Sequence, residues 1–198
     1  MNFNNYDPEG FFDELFSAIG QPRPGAQVLI DRINKLPENV LRQRQEAAEL
    51  ALLNMGITFS VYGDESGTEK IFPFDIIPRI IEAQEWINIE RGLEQRIRAL
   101  NLFIDDLYNE RRVVADGVVP AFVIESAKGF LEPCKGLKPQ RGIWCHITGT
   151  DLVRDADGQF YVLEDNMRCP SGVSYVLENR LVLKRAFPQV FSASGVRA

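Results

Sequence analysis

The run Val162-Leu163-Glu164-Asp165-Asn166-Met167-Arg168-Cys169-Pro170-Ser171-Gly172 constrains this chain more than any other part of it, because apolar strand-like sequence gives way there to acidic, amide, basic and glycine residues. The aromatic and β-branched residues from Phe160 onward favour a strand through Asn166. Side chains alternate along a strand, so Phe160, Val162, Glu164 and Asn166 are expected on one face and Tyr161, Leu163 and Asp165 on the other. A carboxylate and an amide oxygen two residues apart on one face form a pair of hard ligands of the kind Mg²⁺ uses while it holds substrate phosphates.

The preceding segment reads as the other half of a hairpin. Trp144 to Arg154 is β-rich, Asp155-Ala156-Asp157-Gly158 is strong turn chemistry, and strand-like sequence resumes at Gln159. With Arg154 opposite Gln159, Asp151 faces Val162 and joins Glu164 and Asn166 on one face, diagonal to Glu164. A slip of one residue would carry Asp151 to the other face. Arg168 follows closely, and its planar guanidinium suits phosphate or carboxylate oxygens, although pairing with Asp165 is the structural alternative. Ser171 or Gly172 can open a helix through Arg180, whose free N-terminal amides would favour an anion.

The elements "GITFSVYG", "PFDIIPRIIEAQEW", "GTDLVRDADGQFYVLEDNMRCPSGVSY" and "ENR", in that order, resemble the N-terminal part of the circularly permuted ATP-grasp proteins, a group similar to glutathionylspermidine synthetase and other carboxylate–amine ligases. The resemblance runs from about Tyr6 to Phe191. It implies an ATP-dependent ligase in which Mg-ATP phosphorylates a carboxylate and an amine attacks the acyl phosphate. It also implies that Asp151, Glu164 and Asn166 hold Mg²⁺ and that Arg168 serves the transferred phosphate as catalytic and nucleotide-binding residue, while the helix start read at Ser171 and Gly172 makes those two candidate nucleotide-binding residues. Members of that group are longer, and no glycine-rich phosphate loop of the GxxxxGK[ST] or GxGxxG type is present here. The chain is therefore expected to be a partial domain that depends on a downstream segment or a partner chain.

Charge and composition narrow the competing classes. A net charge of −6 without a basic cluster argues against nucleic acid or anionic membrane as partner. Three cysteines without C-x-x-C spacing suggest neither a disulfide framework nor a zinc site. The N-terminus lacks the basic start and apolar run of a signal peptide, and no run approaches the ~18 apolar residues of a membrane span, so a cytoplasmic location is expected. A metal-dependent nuclease would place lysine where Asn166 stands, and a noncatalytic, partner-binding remnant of the ligase fold remains the other alternative. His146, the single histidine, is expected to be packed or hydrogen-bonded.

Along the chain, residues 1–36 read as an N-terminal arm with a short helix around Glu9 to Ile19 and a Pro/Gly segment at 21–25, and residues 37–198 as the partial ATP-grasp domain. A helix is expected after Pro37 with Leu41, Ala48, Leu52 and Met55 on its apolar face and Gly56 at its end. Strand sequence follows at 57–61, a polar loop at 64–67, and helical sequence from near Pro78 that Gly92 divides. Leu93, Ile97, Leu100, Ile104 and Leu107 then form a core-facing stripe. The fold class is α+β: an ATP-grasp-like hairpin and sheet with packed helices.

Overall fold

The computed structural model describes residues 3, 5–37, 39–59 and 70–197. In chain order it contains β1 (Phe16–Ala18), β2 (Gln21–Pro22), α1 (Gln27–Asn34), α2 (Val40–Asn54), β3 (Thr58–Phe59), β4 (Lys70–Ile71), α3 (Ala83–Tyr108), α4 (Arg112–Ala115), α5 (Ala121–Glu125), β5 (Gly149–Arg154), β6 (Phe160–Asn166), α6 (Val173–Ala186) and α7 (Pro188–Ala193). The strands form antiparallel pairs β1–β2 and β3–β4 and a third two-stranded sheet, β5–β6. The mixture of helices with small sheets fits the expected α+β class. Two compact units result: residues 1–82, 154–159 and 172–198 form the first, and residues 83–153 and 160–171 the second. The polar loop expected at 64–67 lies outside the described residues.

The first unit is built on α1. Leu29, Ile30 and Ile33 fall on one side of that helix and are buried, Leu29 and Ile33 against Ile76, Phe187 and Val190, and Ile30 against Phe16 and Ala26. Burying each such side chain contributes about 1.5–3 kcal/mol. A second cluster joins Ala48 and Leu52 of α2 to Val182 of α6. As expected, α2 begins shortly after Pro37 and ends before Gly56, which takes the left-handed φ of +71° that a helix C-terminus favours.

The expected helix over 9–19 is not formed. The Asp13 carboxylate accepts the backbone N–H groups of Leu15 and Phe16, both at 2.7 Å, and this local bonding turns the chain into β1. The apolar spacing of α1, read as part of an arm, was the stronger helical signal.

In the second unit, α3 runs unbroken for 26 residues, so Gly92 does not divide it. A glycine costs a helix about 1 kcal/mol, too little to break one this long. The helix also starts later than Pro78, at Ala83. The stripe from Leu93 to Leu107 is half-buried, and no residue of α3 is fully buried, so the expected core packing is only partial. Its C-terminal half organises the chain after α5. The Asn101 side-chain oxygen accepts the backbone N–H groups of Trp144 (2.8 Å) and Cys145 (3.1 Å), and the Trp144 indole donates to Asp105 at 2.9 Å. Tyr108 stacks on both Phe130 and Trp144. These bonds tie Trp144 and Cys145 to the helix, and the strand begins only at Gly149.

Asp106 caps the short helix α4 by accepting the N–H groups of Arg112 and Val113, both at 3.0 Å. The Val113 bond, with the Arg112 bond and charge beside it, holds the Asp106 carboxyl below its ordinary range.

Candidate functional site

The site is made by the β5–β6 hairpin, and its register is the first thing the structure revises. At the turn the Asp155 N–H donates to the Gln159 carbonyl at 3.0 Å, and the Gly158 N–H donates to the Asp155 carbonyl at 2.9 Å. Asp155, and not Arg154, therefore pairs with Gln159. Gly158 has φ +80°, the left-handed conformation that closes such a turn.

Carried unchanged along the strands, that shift would put Asp151 on the face opposite Glu164. The chain corrects it within β6. Phe160 and Val162 are half-buried, Leu163 and Glu164 are both exposed, Asp165 is half-buried and Asn166 exposed, so the alternation breaks at Leu163-Glu164. β6 also has seven residues against the six of β5. One extra residue at that point is a β-bulge, and it returns Asp151, Glu164 and Asn166 to one face. The strict alternation expected through β6 is thus corrected, since Phe160 and Val162 share their half-buried side with Asp165 and not with Glu164.

Side-chain bonds fix both faces. On the exposed face the Asn166 amide nitrogen donates to Glu164 Oε1 at 3.2 Å and to Asp151 Oδ2 at 3.5 Å. On the other face Thr150 Oγ1 donates to Asp165 Oδ1 at 2.9 Å, and Arg96 Nε donates to Asp165 Oδ2 at 2.6 Å. Two neighbouring carboxylates repel, and the Asn166 N–H groups offset part of that repulsion by occupying the position where a cation would be most stable. A half-turn of the amide presents its oxygen instead, giving three hard oxygen ligands. The donor set therefore fits Mg²⁺. Among the described residues no group of three or more His, Cys, Asp or Glu has metal-binding arrangement, because the third member here is an amide.

The mouth of the hairpin is closed by a near contact. A side chain at Gly149 would come within 2.9 Å of Pro170 Cβ and 3.8 Å of Asn166 Cβ, so glycine lets the Met167–Ser171 segment fold back against β5. Arg168 is exposed, and Asp165 takes Arg96 and not Arg168 as its cationic partner. Ser171 is exposed, and Gly172, with φ +89°, is the N-cap of α6; Ser171 falls in the second unit and Gly172 in the first. His146 is exposed, so of the packed or hydrogen-bonded roles expected for it the packed one is not found. Burial pushes the Cys145 thiol up, which disfavours the nucleophilic thiolate.

Sequence reasoning missed Gly149, Thr150 and the Arg96–Asp165 pair. The side-chain period places Thr150 and Asp165 opposite the triad once the bulge is included, whereas no sequence signal pairs residues as distant as Arg96 and Asp165. The Asp165 side chain is 7% exposed and the Arg96 side chain 46% exposed. Arg96→Met should therefore cost about 1–3 kcal/mol, because it leaves a nearly buried carboxylate with a hydroxyl as its remaining partner. Thermal unfolding of this variant beside Arg96→Lys checks the expectation, and unchanged stability would show that the pair is only a surface contact.

A hairpin carrying two carboxylates and an amide on one exposed face, followed by an exposed arginine, is a candidate site for a divalent cation with an anionic ligand. The chain belongs to the circularly permuted ATP-grasp family, type 2, whose profile matches residues 78–198 and so includes every one of these residues. It is 58% identical to an uncharacterized protein of Synechocystis sp. over 197 residues, covering 100% of this chain and 41% of that protein. It is 42% identical to an uncharacterized protein of Mycobacterium leprae, covering 94% of this chain and 33% of the relative. A Frankia casuarinae protein named "Putative glutamate--cysteine ligase 2-2" is 38% identical over 191 residues, 96% of this chain and 22% of that protein. The chain thus spans well under half the length of these relatives. No described helix is long and apolar enough to cross a membrane.

Proposed function

We propose that this chain carries the metal-binding part of an ATP-dependent carboxylate–amine ligase. The observation that carries the proposal is the Asn166 amide bridging the Asp151 and Glu164 carboxylates, at 3.5 and 3.2 Å, within the span matched by the ATP-grasp family. Asp151, Glu164 and Asn166 would hold Mg²⁺, whose positive charge offsets the phosphates of ATP and the charge that develops during phosphoryl transfer. Arg168 would orient the transferred phosphoryl group or the acyl phosphate through its guanidinium N–H groups, and Ser171 and Gly172 would contribute polar and backbone donors to the nucleotide. In such a reaction a substrate carboxylate attacks the γ-phosphorus, the bond to ADP breaks, and an amine then displaces phosphate from the acyl carbon with loss of a proton. The name of the Frankia relative supports the ligase class, and a member similar to glutathionylspermidine synthetase is one specialisation of it.

The second reading, a noncatalytic or partner-dependent unit of the same fold, is favoured by apolar side chains left in solvent. Ile147 and Leu163 in the second unit and Val176 and Leu177 on α6 in the first are all exposed. In that reading a partner chain or a further segment would cover such side chains. Both readings share the metal site. Titrating the isotopically labelled chain with Mn²⁺, a paramagnetic substitute for Mg²⁺, tests it: amide signals around Asp151 and 164–166 should broaden first. Broadening centred elsewhere, or uniform across the acidic surface, would remove the site.

A further inference from the structure

We infer that Phe12 and Glu14 are positioning residues for the Asp151, Glu164 and Asn166 cluster, acting by locking the register of the β5–β6 hairpin at its turn. The value of this lock for metal binding rests on the function proposed above, whereas the register itself does not.

Residues 12–16 form a fixed platform. Phe16 is buried, Asp13 holds the N–H groups of Leu15 and Phe16, and the Tyr6 hydroxyl donates to the same carboxylate at 2.7 Å. Arg23 ties the platform from β2's side, its backbone N–H donating to the Leu15 carbonyl at 2.8 Å and its Nε to the Asp13 carbonyl at 2.7 Å.

The hairpin turn is seated on that platform through Arg154, the last residue of β5. The Arg154 guanidinium lies over the Phe12 ring, 4.2 Å from its centroid, as does that of Arg23. Arg154 Nη1 reaches Glu14 Oε1 at 3.3 Å, while Nε donates to the Gly158 carbonyl across the turn at 3.0 Å. Gly158 sits so close that a side chain there would come within 2.7 Å of Phe12 Cε2. The Arg154 and Glu14 side chains are 7% and 12% exposed. Glu14 also accepts two bonds from Arg79, at 2.8 and 2.6 Å.

These contacts admit one register. Moving β5 by one residue turns the Arg154 side chain to the opposite face, which removes it from Phe12, Glu14 and the Gly158 carbonyl together. The consequence reaches the mouth because the strands are continuous and the bulge at Leu163-Glu164 supplies only one residue of correction. With the turn register fixed, that correction places Asp151 beside Asn166. With the turn free to slip, the extra residue is redistributed and Asp151 exchanges faces. Hairpins whose exposed face is largely polar specify register weakly by themselves, so the lock has something to do.

The test uses nuclear magnetic resonance on the labelled 198-residue chain, comparing wild type with Phe12→Ala, Glu14→Ala and the double variant. Cross-strand contacts from Thr150 to Asp165 and from Asp151 to Asn166 report the register, and Mn²⁺ broadening reports the cluster. The double variant should show a second set of cross-strand contacts and at least a tenfold loss of Mn²⁺ affinity. Arg79→Met, which leaves the Glu14–Arg154 contact in place, should keep the wild-type pattern, and Glu14→Gln should restore most of it because an acceptor for Arg154 is retained. Should the double variant fail to fold, Arg154→Lys replaces it, since an ammonium cannot span Gly158 and Glu14 at once. A single, unchanged set of cross-strand contacts in the folded variants, even with lowered thermal stability, would overturn the lock. Register slippage in a chain whose wild type binds no Mn²⁺ at the hairpin would support the lock and remove the metal reading.

Discussion

Glu164→Ala should weaken divalent-cation binding by at least tenfold while leaving the chain as stable as before, or slightly more stable. The two halves of that expectation have the same cause. Asp151 and Glu164 are held close through one amide nitrogen, so their like charges oppose folding in the absence of a cation and favour a cation when one is present. At an effective dielectric of 20, unit charges 4 Å apart interact by about 4 kcal/mol. Most of that is returned as the cost of dehydrating Mg²⁺ and the carboxylate, and a net loss of about 1.4–3 kcal/mol corresponds to roughly 10- to 150-fold in affinity. Glu164 is exposed, so truncating it opens no cavity, and water replaces it as acceptor for the Asn166 amide. A titration of Mn²⁺ broadening with parallel thermal unfolding measures both. Unchanged affinity would dispose of the site, and a large loss of stability would assign Glu164 a structural role.

Asn166→Asp gives the complementary sign. A third carboxylate in place of the amide removes the donor that relieves Asp151 and Glu164, so apo stability should fall while cation affinity is retained or rises. In the proposed site the amide would hold the two carboxylates together before a cation arrives.

How much of this was legible in the sequence depends on the range of the interaction that decides it. The helix between Pro37 and Gly56, the hairpin turn and the helix after Gly172 are governed by contacts within a few residues, and all of them are where local signals place them. The convergence of Asp151, Glu164 and Asn166 was also readable, but through an argument that is only half correct. It assumed an odd register at the turn and unbroken alternation in β6, whereas the structure has an even register and a bulge. Those two departures cancel in their effect on Asp151. No pattern in the letters Val-Leu-Glu-Asp marks where a strand will take up an extra residue, because bulge placement is decided by what each face packs against. The helix wrongly expected over 9–19 failed for a local reason, the Asp13 side chain competing for backbone N–H groups, which was open to inspection. The Arg96–Asp165 and Arg154–Glu14 pairs join residues 69 and 140 positions apart, and such pairings follow only from the assembled fold.

The purified 198-residue chain should release no measurable ADP when supplied with Mg-ATP, carboxylates and amines. Phosphoryl transfer needs donors already in place around the whole of the transferred group, because the transition state spreads charge over three oxygens while attacking and leaving oxygens lie in line. In the proposed site the hairpin would supply ligands for the metal and Arg168 would face one side of the phosphate. The sequence contains neither a GxxxxGK[ST] nor a GxGxxG loop to enclose the remainder. Preorganised electrostatic donors are worth about 2.7–4 kcal/mol each in barrier lowering, so a site without several of them would lose some orders of magnitude in rate. Coupled-enzyme detection of ADP distinguishes the outcomes, with the same assay run on a longer relative as the positive reference. Amine-dependent ADP release from the 198 residues alone, abolished by Glu164→Ala, would establish that the clamp is complete within them. ADP release from the longer protein that is insensitive to the same substitution would place the metal elsewhere in the fold.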